Sequence, residues 1–191
     1  MDLMLDKRSR ILNAAAELIV QNGLQCSMAA VAERANVATG SLYNYFPSKE
    51  AMIRAVYDRL ATTIEDILVA EIDRTRPHRE RILAYVYCYI DLIWEDPERA
   101  LLFEYLSNVP LIPPAEMAEA FSRVSAYTAT LMEEARADGV IKPHSTQLMG
   151  ALLGGAIRNT LKWHRITHDT LSRQHRDQLA DMCWSAIASG P

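Results

Sequence analysis

The chain has 191 residues, of which half are hydrophobic and 23% are charged, a composition typical of a folded globular protein with one or two domains. Its formal net charge of −4 excludes a protein that binds nucleic acid by overall positive charge alone. Cys26, Cys88 and Cys183 lack metal-ligand spacing, so we expect buried thiols in a reducing compartment. We expect a cytoplasmic protein, because residues 1–10 lack a signal-peptide pattern and the longest apolar-and-glycine run, 148–157, is too short to span a membrane.

Charge is distributed unevenly along the sequence. Residues 1–60 contain seven Lys/Arg and six Asp/Glu, a net of +1, whereas the remainder carries a net of −5. Nucleic-acid binding would therefore depend on the local placement of basic side chains. The candidate phosphate contacts are Lys7, Arg8, Arg10 and Lys49.

Two helices are predicted at the start of the chain. Apolar residues from Lys7 to Asn22 recur at the spacing of a helix with one buried side, and the pair Asn22-Gly23 supplies its end. Ser27 can cap a second helix that continues through Ala35.

The stretch from Asn36 to Glu50 predicts a turn, a very short third helix and the start of a fourth. Asn36 can adopt the left-handed backbone that ends a helix, Pro47 cannot continue one, and Ser48 can cap the next. Because the third helix has only about two turns, its neighbours must hold it in place. With the two preceding helices it forms a helix-turn-helix pattern.

The third helix is predicted to have two different sides. Adjacent residues of a helix lie about 100° apart, so Leu42, Tyr45 and Phe46 share one side and are expected to anchor the helix inward. Tyr43 and Asn44 then face outward. The alternative, that the tyrosines are ordinary core residues, stays open on this spacing alone.

A long fourth helix is predicted from Ser48 to about Arg76, where Pro77 interrupts it. Such a helix of about 28 residues would span about 42 Å. It is the candidate mechanical link between the N-terminal segment and the rest of the chain.

The remainder also reads as helical, without alternating strand patterns, repeats or low-complexity segments. Prolines at positions 110, 113 and 114, Gly139 and the stretch around His168 separate the segments. The predicted fold is all-α with about nine helices, the last five covering residues 79–95, 97–106, 115–138, 145–166 and 171–188.

Four motifs lie within about residues 7–56: Arg10-Ile11-Leu12-x-x-Ala15, Asn22-Gly23, Ser27-Met28-x-x-Val31-Ala32-x-x-Ala35-x-Val37 and Thr39-Gly40-Ser41-Leu42-Tyr43-x-Tyr45-Phe46-x-Ser48-Lys49-Glu50. By these motifs the segment resembles the TetR family of bacterial one-component transcription regulators. Two departures from the family pattern are Asn36 and Ala38, which stand where the family often has Gly and Ser. Asn tolerates the same turn, but without a hydroxyl at position 38 the third helix could begin one residue later, with Thr39 as its cap.

The resemblance implies a homodimeric DNA-binding regulator, most commonly a repressor, paired through its last two helices. Residues 1–50 would form the DNA-binding domain, and residues 51–191 would bind a ligand and dimerise. The residues implied to face the major groove are Thr39, Gly40, Ser41, Tyr43 and Asn44, with Tyr45 on a phosphate and Ser27, Met28 and Lys49 on the DNA backbone.

The resemblance also implies an apolar cavity among the later helices for a small apolar or amphipathic inducer. For each aromatic or Met residue in this region, a place in the ordinary core remains the alternative. The candidate ligand-binding residues are Tyr89, Ile93, Trp94, Phe103, Leu106, Phe121, Met149 and Asn159.

We expect no metal, cofactor or catalytic site, and therefore not an enzyme. His164 and His168 stand four residues apart and His175 seven further on, but a zinc site would need a third close ligand and a helix intact through Thr167. Two other functions stay open: a helical small-molecule-binding protein, or a protein-interaction adaptor that does not bind DNA sequence-specifically.

Overall fold

The computed structural model describes residues 6–69, 73–108 and 112–190. Within these ranges the backbone is helical, with no strand and a single isolated bridge between Ile141 and Ala188. The predicted all-α fold is confirmed. The ten α-helices are α1 (Lys7–Asn22), α2 (Met28–Arg34), α3 (Thr39–Tyr45), α4 (Lys49–Leu68), α5 (His78–Glu95), α6 (Pro97–Ser107), α7 (Pro114–Ala120), α8 (Ser122–Ala137), α9 (Thr146–Thr167) and α10 (Arg173–Ile187), and a 3-10 turn covers Gly23–Gln25.

The helix starts follow the predicted caps. The Ser27 hydroxyl accepts a hydrogen bond from the Ala30 amide at 3.1 Å, and the Ser48 hydroxyl accepts one from the Ala51 amide at 3.1 Å. Gly23 ends α1 with a positive φ of 62°. Local sequence therefore specifies the boundaries of the first helices.

Asn36 makes the turn between α2 and α3, as predicted. It is the one non-glycine residue with positive φ in the described ranges, at 52°. The Asn36 amide donates to the Glu33 carbonyl at 3.0 Å, and the Val37 amide donates to the Ala32 carbonyl at 3.0 Å. This pair of bonds is the Schellman arrangement, which satisfies the last carbonyls of α2 and reverses the chain.

The fourth helix is shorter than predicted. It has 20 residues and ends at Leu68 rather than near Arg76. The Asp73 carboxylate accepts hydrogen bonds from the Thr75 amide at 3.0 Å and the Thr75 hydroxyl at 2.6 Å. These bonds favour a turn over a helix at 73–76. Ile72, also expected on the helix, lies outside the described residues.

The predicted seventh helix is in fact two helices, which raises the count from about nine to ten. The break falls at Phe121, whose backbone has φ −109° and ψ 21°. The cause is Glu65, whose Oε1 accepts hydrogen bonds from the amides of Arg123 at 2.7 Å and Val124 at 3.1 Å. Pro110, expected to interrupt the chain before these helices, lies outside the described residues.

The chain divides into two compact units. Among the described residues, the first contains 6–62, 101–108 and 112–120, with α1–α3, most of α4, the end of α6 and α7. In it α2 packs against both α1 and α3. Its largest fully buried side chains include Ile11, Leu12, Ile19, Leu42, Met52, Ile53 and Tyr57.

The second unit contains residues 63–100 and 121–190 of the described chain. Within it α5 packs against α8, α9 and α10, and α9 also packs against α8 and α10. Ion pairs join the helices at the edges of this unit. Arg176 on α10 donates to both carboxylate oxygens of Asp91 on α5, at 2.6 and 2.5 Å.

The turn at Asn36 gives a direct stability test. We expect Asn36→Ala to lower the free energy of unfolding by about 1 kcal/mol, because the left-handed backbone conformation is sterically less favourable for alanine than for asparagine. Urea denaturation followed by circular dichroism measures the change. Asn36→Gly is the matched control and should be as stable as the wild type or more stable. Equal stability of the alanine variant would contradict the assigned turn.

Candidate nucleic-acid interface

Helix α3 is anchored at few points. Leu42 is fully buried and Phe46 is buried at 4% exposure, as predicted. The expectation that Tyr45 faces inward is wrong, because its side chain is 43% exposed. The helix ends at Tyr45, and Phe46 continues in extended backbone with φ −135°. Phe46 therefore reaches the core from outside the helix, and Tyr45 stays on the surface.

The first residue of α3 is Thr39, so the helix does not slip to a later start. Ala38 is the residue before the helix, has extended backbone and provides no side-chain cap. The Leu42 amide donates to the Ala38 carbonyl at 3.1 Å, which closes the first helical turn. Thr39 therefore does not cap α3, and its exposed side chain lies in the first turn.

The outer side of α3 carries polar groups. Thr39, Gly40 and Asn44 are exposed, Ser41 is half-buried, and Tyr43 is 49% exposed. A side chain added at Gly40 would meet no atom of the protein within 4 Å. Packing inside the chain therefore does not explain why this position lacks a side chain, whereas close approach of a partner surface would.

Residues that flank α3 form the rest of the candidate interface. Ser27 is exposed beside the start of α2, and Lys49 is half-buried at the first position of α4. The Met28 side chain is buried at 8% exposure. A contact between Met28 and DNA would therefore involve its main chain and not its thioether.

Charged groups near α3 include both signs. The Arg8 guanidinium lies 5.5 Å from the centroid of the Phe46 ring, a cation–π contact that sequence reasoning missed because the two residues are far apart in the chain. The Glu50 carboxylate accepts hydrogen bonds from the main-chain N–H of Glu50 itself and then from the Ser48 side chain. These bonds hold the pKa of Glu50 below its ordinary value. Glu50 therefore stays ionised beside Lys49, so the surface is locally mixed in charge.

The candidate ligand-binding residues are divided between the two units. Phe103 and Leu106 are buried in the first unit. In the second unit Tyr89 is buried, its hydroxyl accepts a hydrogen bond from Arg158 Nη1 at 2.5 Å, and burial raises the pKa of its phenol. The Tyr89 ring also makes an edge contact with Tyr85 at 6.1 Å between centroids. This buried group of phenols therefore places polar atoms in that unit's interior.

Trp94 and Ile93 belong to a contact between α5 and α9. The Arg165 guanidinium lies 4.7 Å from the centroid of the Trp94 ring. Arg165 Nη2 also donates to the carbonyls of Ile93 at 2.8 Å and Trp94 at 3.0 Å, which satisfies the end of α5. Helix packing thus accounts for the position of Trp94.

The three remaining candidates have different surroundings. Met149 is buried on α9, and Phe121 is half-buried at the residue before α8. Asn159 is exposed on α9. An exposed amide does not line an interior cavity, and Asn159 instead lies on the apolar surface described next.

An exposed apolar stripe runs along α9. Leu148 is 70% exposed, Leu152 54%, Trp163 62% and Ile166 67%. Positions 148, 152, 155, 159, 163 and 166 fall within about 80° of one another around a helix at 100° per residue. Met182 on α10 is also 59% exposed. The sequence shows the spacing of these residues, but it does not show whether the stripe faces the core or solvent.

The histidines of α9 and α10 come together at one end of the second unit. The rings of His164 and His168 stack at 4.2 Å between centroids, and His175 lies 5.0 Å from His164. Within the described residues, no group of three or more His, Cys, Asp or Glu side chains could hold a metal ion.

No helix in the same ranges has the length and apolar character needed to cross a membrane.

Comparison with known proteins places the helix-turn-helix in a family. The family profile described as bacterial regulatory proteins, tetR family, matches residues 11–56. The regulator UidR of Escherichia coli K12 is 46% identical over 50 residues, 26% of each chain, so the aligned part spans about a quarter of that relative. The repressor KstR of Rhodococcus jostii is 53% identical over 45 residues, 23% of this chain and 21% of KstR. The activator FasR of Mycolicibacterium smegmatis is 26% identical over 146 residues, 75% of this chain and 65% of FasR.

Solved structures show the same fold over nearly the whole chain. A TetR family transcription regulator of Marinobacter aquaeolei VT8 superposes with a TM-score of 0.83 at 20% identity, covering 95% of both chains. The regulator FadR of Bacillus subtilis, solved in complex with stearoyl-CoA, superposes with a TM-score of 0.76 at 19% identity, covering 96% of this chain and 98% of FadR. The segment from α1 to α4 thus matches the tetR family of bacterial regulatory proteins over residues 11–56, and the whole chain shares its fold with solved TetR family regulators.

Proposed function

We propose that this protein is a cytoplasmic, ligand-responsive transcriptional repressor that binds a palindromic operator in double-stranded DNA as a homodimer. A small apolar or amphipathic inducer releases it. Residues 1–50 bind DNA, and residues 51–191 bind the inducer and dimerise. The observation that carries the proposal is the surface of α3, a two-turn helix held by Leu42 that presents five exposed or half-buried small and polar residues before Tyr45.

The side chains of α3 suit the major groove of DNA. An α-helix fits this groove, and an asparagine amide can make two hydrogen bonds with adenine. Asn44 and Tyr43 are both exposed on α3, and Gly40 leaves room for a base edge or phosphate to approach the backbone. Thr39 and Ser41 supply further hydroxyl groups. We therefore assign base recognition to α3.

The DNA backbone is assigned to the surrounding residues. Lys49 at the first turn of α4 adds positive charge where free helix amides also favour phosphate. The Tyr45 hydroxyl and Ser27 provide neutral hydrogen-bonding groups, and Met28 contributes through its main chain. Because the N-terminal segment has a net charge of only about +1, sequence-independent binding is expected to be weak.

The apolar stripe on α9, together with Met182 on α10, is the proposed dimer surface. Contiguous exposed apolar residues of this size are typical of interfaces. Gly155 falls on the stripe and has no neighbour within 4 Å of an added side chain, so a second helix can approach closely there. A two-fold dimer presents two copies of α3 to two half-sites separated by whole turns of DNA.

Inducer release follows from a difference in affinity between two states of the dimer. A ligand shifts the balance only by the extent to which it binds one state better than the other. Tyr89, Ile93, Trp94, Phe121 and Met149, all in the second unit, remain the proposed ligand-binding residues, and Asn159 moves to the proposed dimer surface. FadR, with the same fold, was solved with stearoyl-CoA, which supports testing long-chain acyl compounds first.

The assignment of α3 predicts a loss of sequence recognition. Tyr43→Ala and Asn44→Ala should each weaken binding to the operator by about 1–3 kcal/mol, since each removes a contact to a base edge. The operator is first obtained by selecting bound fragments from genomic DNA, and affinities are then measured by gel shift. Sedimentation should show an intact dimer for both variants. Normal operator binding by both would refute the assignment of α3.

Lys49→Gln is the matched control for these variants. It should weaken binding to all sequences alike and lower the slope of log affinity against log salt by about 0.9, because one phosphate contact is lost. Failure of the wild type to select any preferred sequence would instead favour the protein-interaction adaptor. A reporter gene placed behind the selected operator decides between repression and activation.

The dimer surface gives a second prediction. Leu152→Asp places a charge in the middle of the apolar stripe and should convert the dimer to monomer at micromolar concentration, because an unpaired carboxylate is costly to bury. Sedimentation equilibrium measures the change. Thr160→Asp is the control, since Thr160 is also exposed on α9 but lies about 80° from Leu152 around the helix and about 60° outside the edge of the stripe. A Leu152→Asp protein that remained dimeric would remove α9 from the interface.

A further inference from the structure

A hydroxyl proton inside the second unit has no hydrogen-bond acceptor. Tyr89 on α5 is 6% exposed, and its hydroxyl oxygen accepts a hydrogen bond from Arg158 Nη1 of α9 at 2.5 Å. Within the described residues, no oxygen or nitrogen accepts the hydroxyl proton of Tyr89 in return. Nearly all buried polar groups in folded proteins are paired, because an unpaired donor is costly. This donor is therefore available to an acceptor from outside the chain.

The Tyr89 phenol keeps this proton. Burial is the largest influence on its pKa and raises it, whereas the charge of Arg158 and the hydrogen bond from Arg158 lower it. The net effect is a raised pKa, so the hydroxyl is neutral at physiological pH. The pair thus combines an O–H donor with a guanidinium, and both groups bind acceptors.

Gly154 permits this arrangement. It lies four residues before Arg158, one turn earlier on α9. A Cβ at Gly154 would lie 3.2 Å from Arg158 Nη1 and 3.3 Å from Tyr89 Cε1, closer than ordinary van der Waals contact. A larger residue would push the guanidinium or the ring away. The absence of a side chain at this position therefore lets α5 and α9 bring the hydroxyl and the guanidinium together.

Aromatic and aliphatic groups surround the pair. Tyr85, one turn before Tyr89 on α5, makes an edge contact with its ring at 6.1 Å, and Tyr127 of α8 lies 6.0 Å from Tyr85. A ligand suited to this interior has an apolar body and one strongly accepting polar group. The buried aliphatic residues at neighbouring positions of the two helices are Val86, Ile90 and Ile93 on α5 and Leu153 and Ile157 on α9.

We infer that the second unit binds a monocarboxylic acid with an apolar body, whose carboxylate is held by the Tyr89 hydroxyl and the Arg158 guanidinium. A carboxylate accepts the unpaired O–H proton and carries the charge that a guanidinium binds most strongly. A cationic ligand would bring like charges together, and an alcohol would supply no charge. The inference rests on the proposed function, because it narrows the inducer of that function to an acid.

Decanoate and 1-decanol test the inference, since they share one chain length and differ in the polar group. Calorimetric titration of the wild-type protein without DNA should show decanoate binding about tenfold more tightly than 1-decanol, or better. Arg158→Gln should weaken decanoate binding by about tenfold and 1-decanol binding by no more than about twofold, because only the acid loses a charged partner. Equal wild-type affinity for the two compounds, or no binding of decanoate, would overturn the inference.

Arg136→Gln is the matched control for charge. Arg136 is exposed on α8 and pairs with Glu133, so its replacement should change decanoate affinity by no more than about twofold. Tyr89→Phe keeps the ring, removes the hydroxyl and should weaken decanoate binding by about tenfold. Thermal unfolding checks that each variant is folded. A loss in Arg136→Gln equal to that in Arg158→Gln would reduce the effect to overall charge and contradict the assigned site.

Gly154→Ala tests the geometry without changing any charge. The added methyl group displaces the guanidinium from Tyr89 and should weaken decanoate binding by about fivefold. Gly150→Ala is its control on the same helix, since a Cβ there would lie 3.6 Å from Thr128 Cγ2, an ordinary contact. Its affinity for decanoate should stay within about twofold of the wild type. Wild-type affinity in Gly154→Ala would refute the assigned pair.

Gel shifts with the selected operator separate this inference from the proposed function. Saturating decanoate should release the wild-type protein from the operator. If decanoate binds with the expected dependence on Arg158 but leaves the operator complex intact, the acid site stands and its role as the inducer site fails. If the wild type selects no operator, the proposed function fails, and the calorimetric comparison of decanoate with 1-decanol still decides the inference.

Discussion

The recognition surface depends on one backbone constraint, the left-handed residue at Asn36. Its Schellman bonds close the end of α2 and set the direction in which α3 begins. A helix of seven residues has little stability of its own, so α3 relies on this turn and on burial of Leu42. The turn is built from main-chain bonds, which leaves the side chains of α3 available for DNA. Asparagine can replace the glycine of the family at this position because both residues tolerate positive φ.

Features with local causes could be predicted from the sequence. The ends of α1, the caps at Ser27 and Ser48 and the turn at Asn36 each depend on residues within five positions of one another. The position of Tyr45 could not be predicted in this way. Helical periodicity gives the angle of a side chain, but it assumes that the helix continues. Helical periodicity predicts that both Tyr45 and Phe46 face the core. Because Phe46 leaves the helix in extended backbone, only its side chain reaches the core and Tyr45 stays exposed.

Features with distant causes could not be predicted. Nothing near Phe121 signals a break between α7 and α8. The Glu65 carboxylate that caps α8 stands 58 and 59 residues before the two amides that it binds.

The apolar residues of α9 raise a related difficulty. A stripe at helical spacing is equally consistent with a core and with an interface, so only the exposure of Leu152 and Trp163 separates the two. The exposure of Asn159 likewise moves it from the proposed ligand site to the proposed dimer surface.

The weak net charge of the head bears on how regulation can operate. Non-specific affinity for DNA comes from phosphate contacts, so a strongly basic head would stay on DNA even when its two recognition helices no longer matched the operator. Residues 1–60, with a net charge of +1, provide less of this affinity. In the proposed dimer, binding then depends more on the simultaneous fit of both copies of α3. Under that condition a loss of fit at one half-site is sufficient to release the proposed dimer, because few sequence-independent contacts remain to hold it.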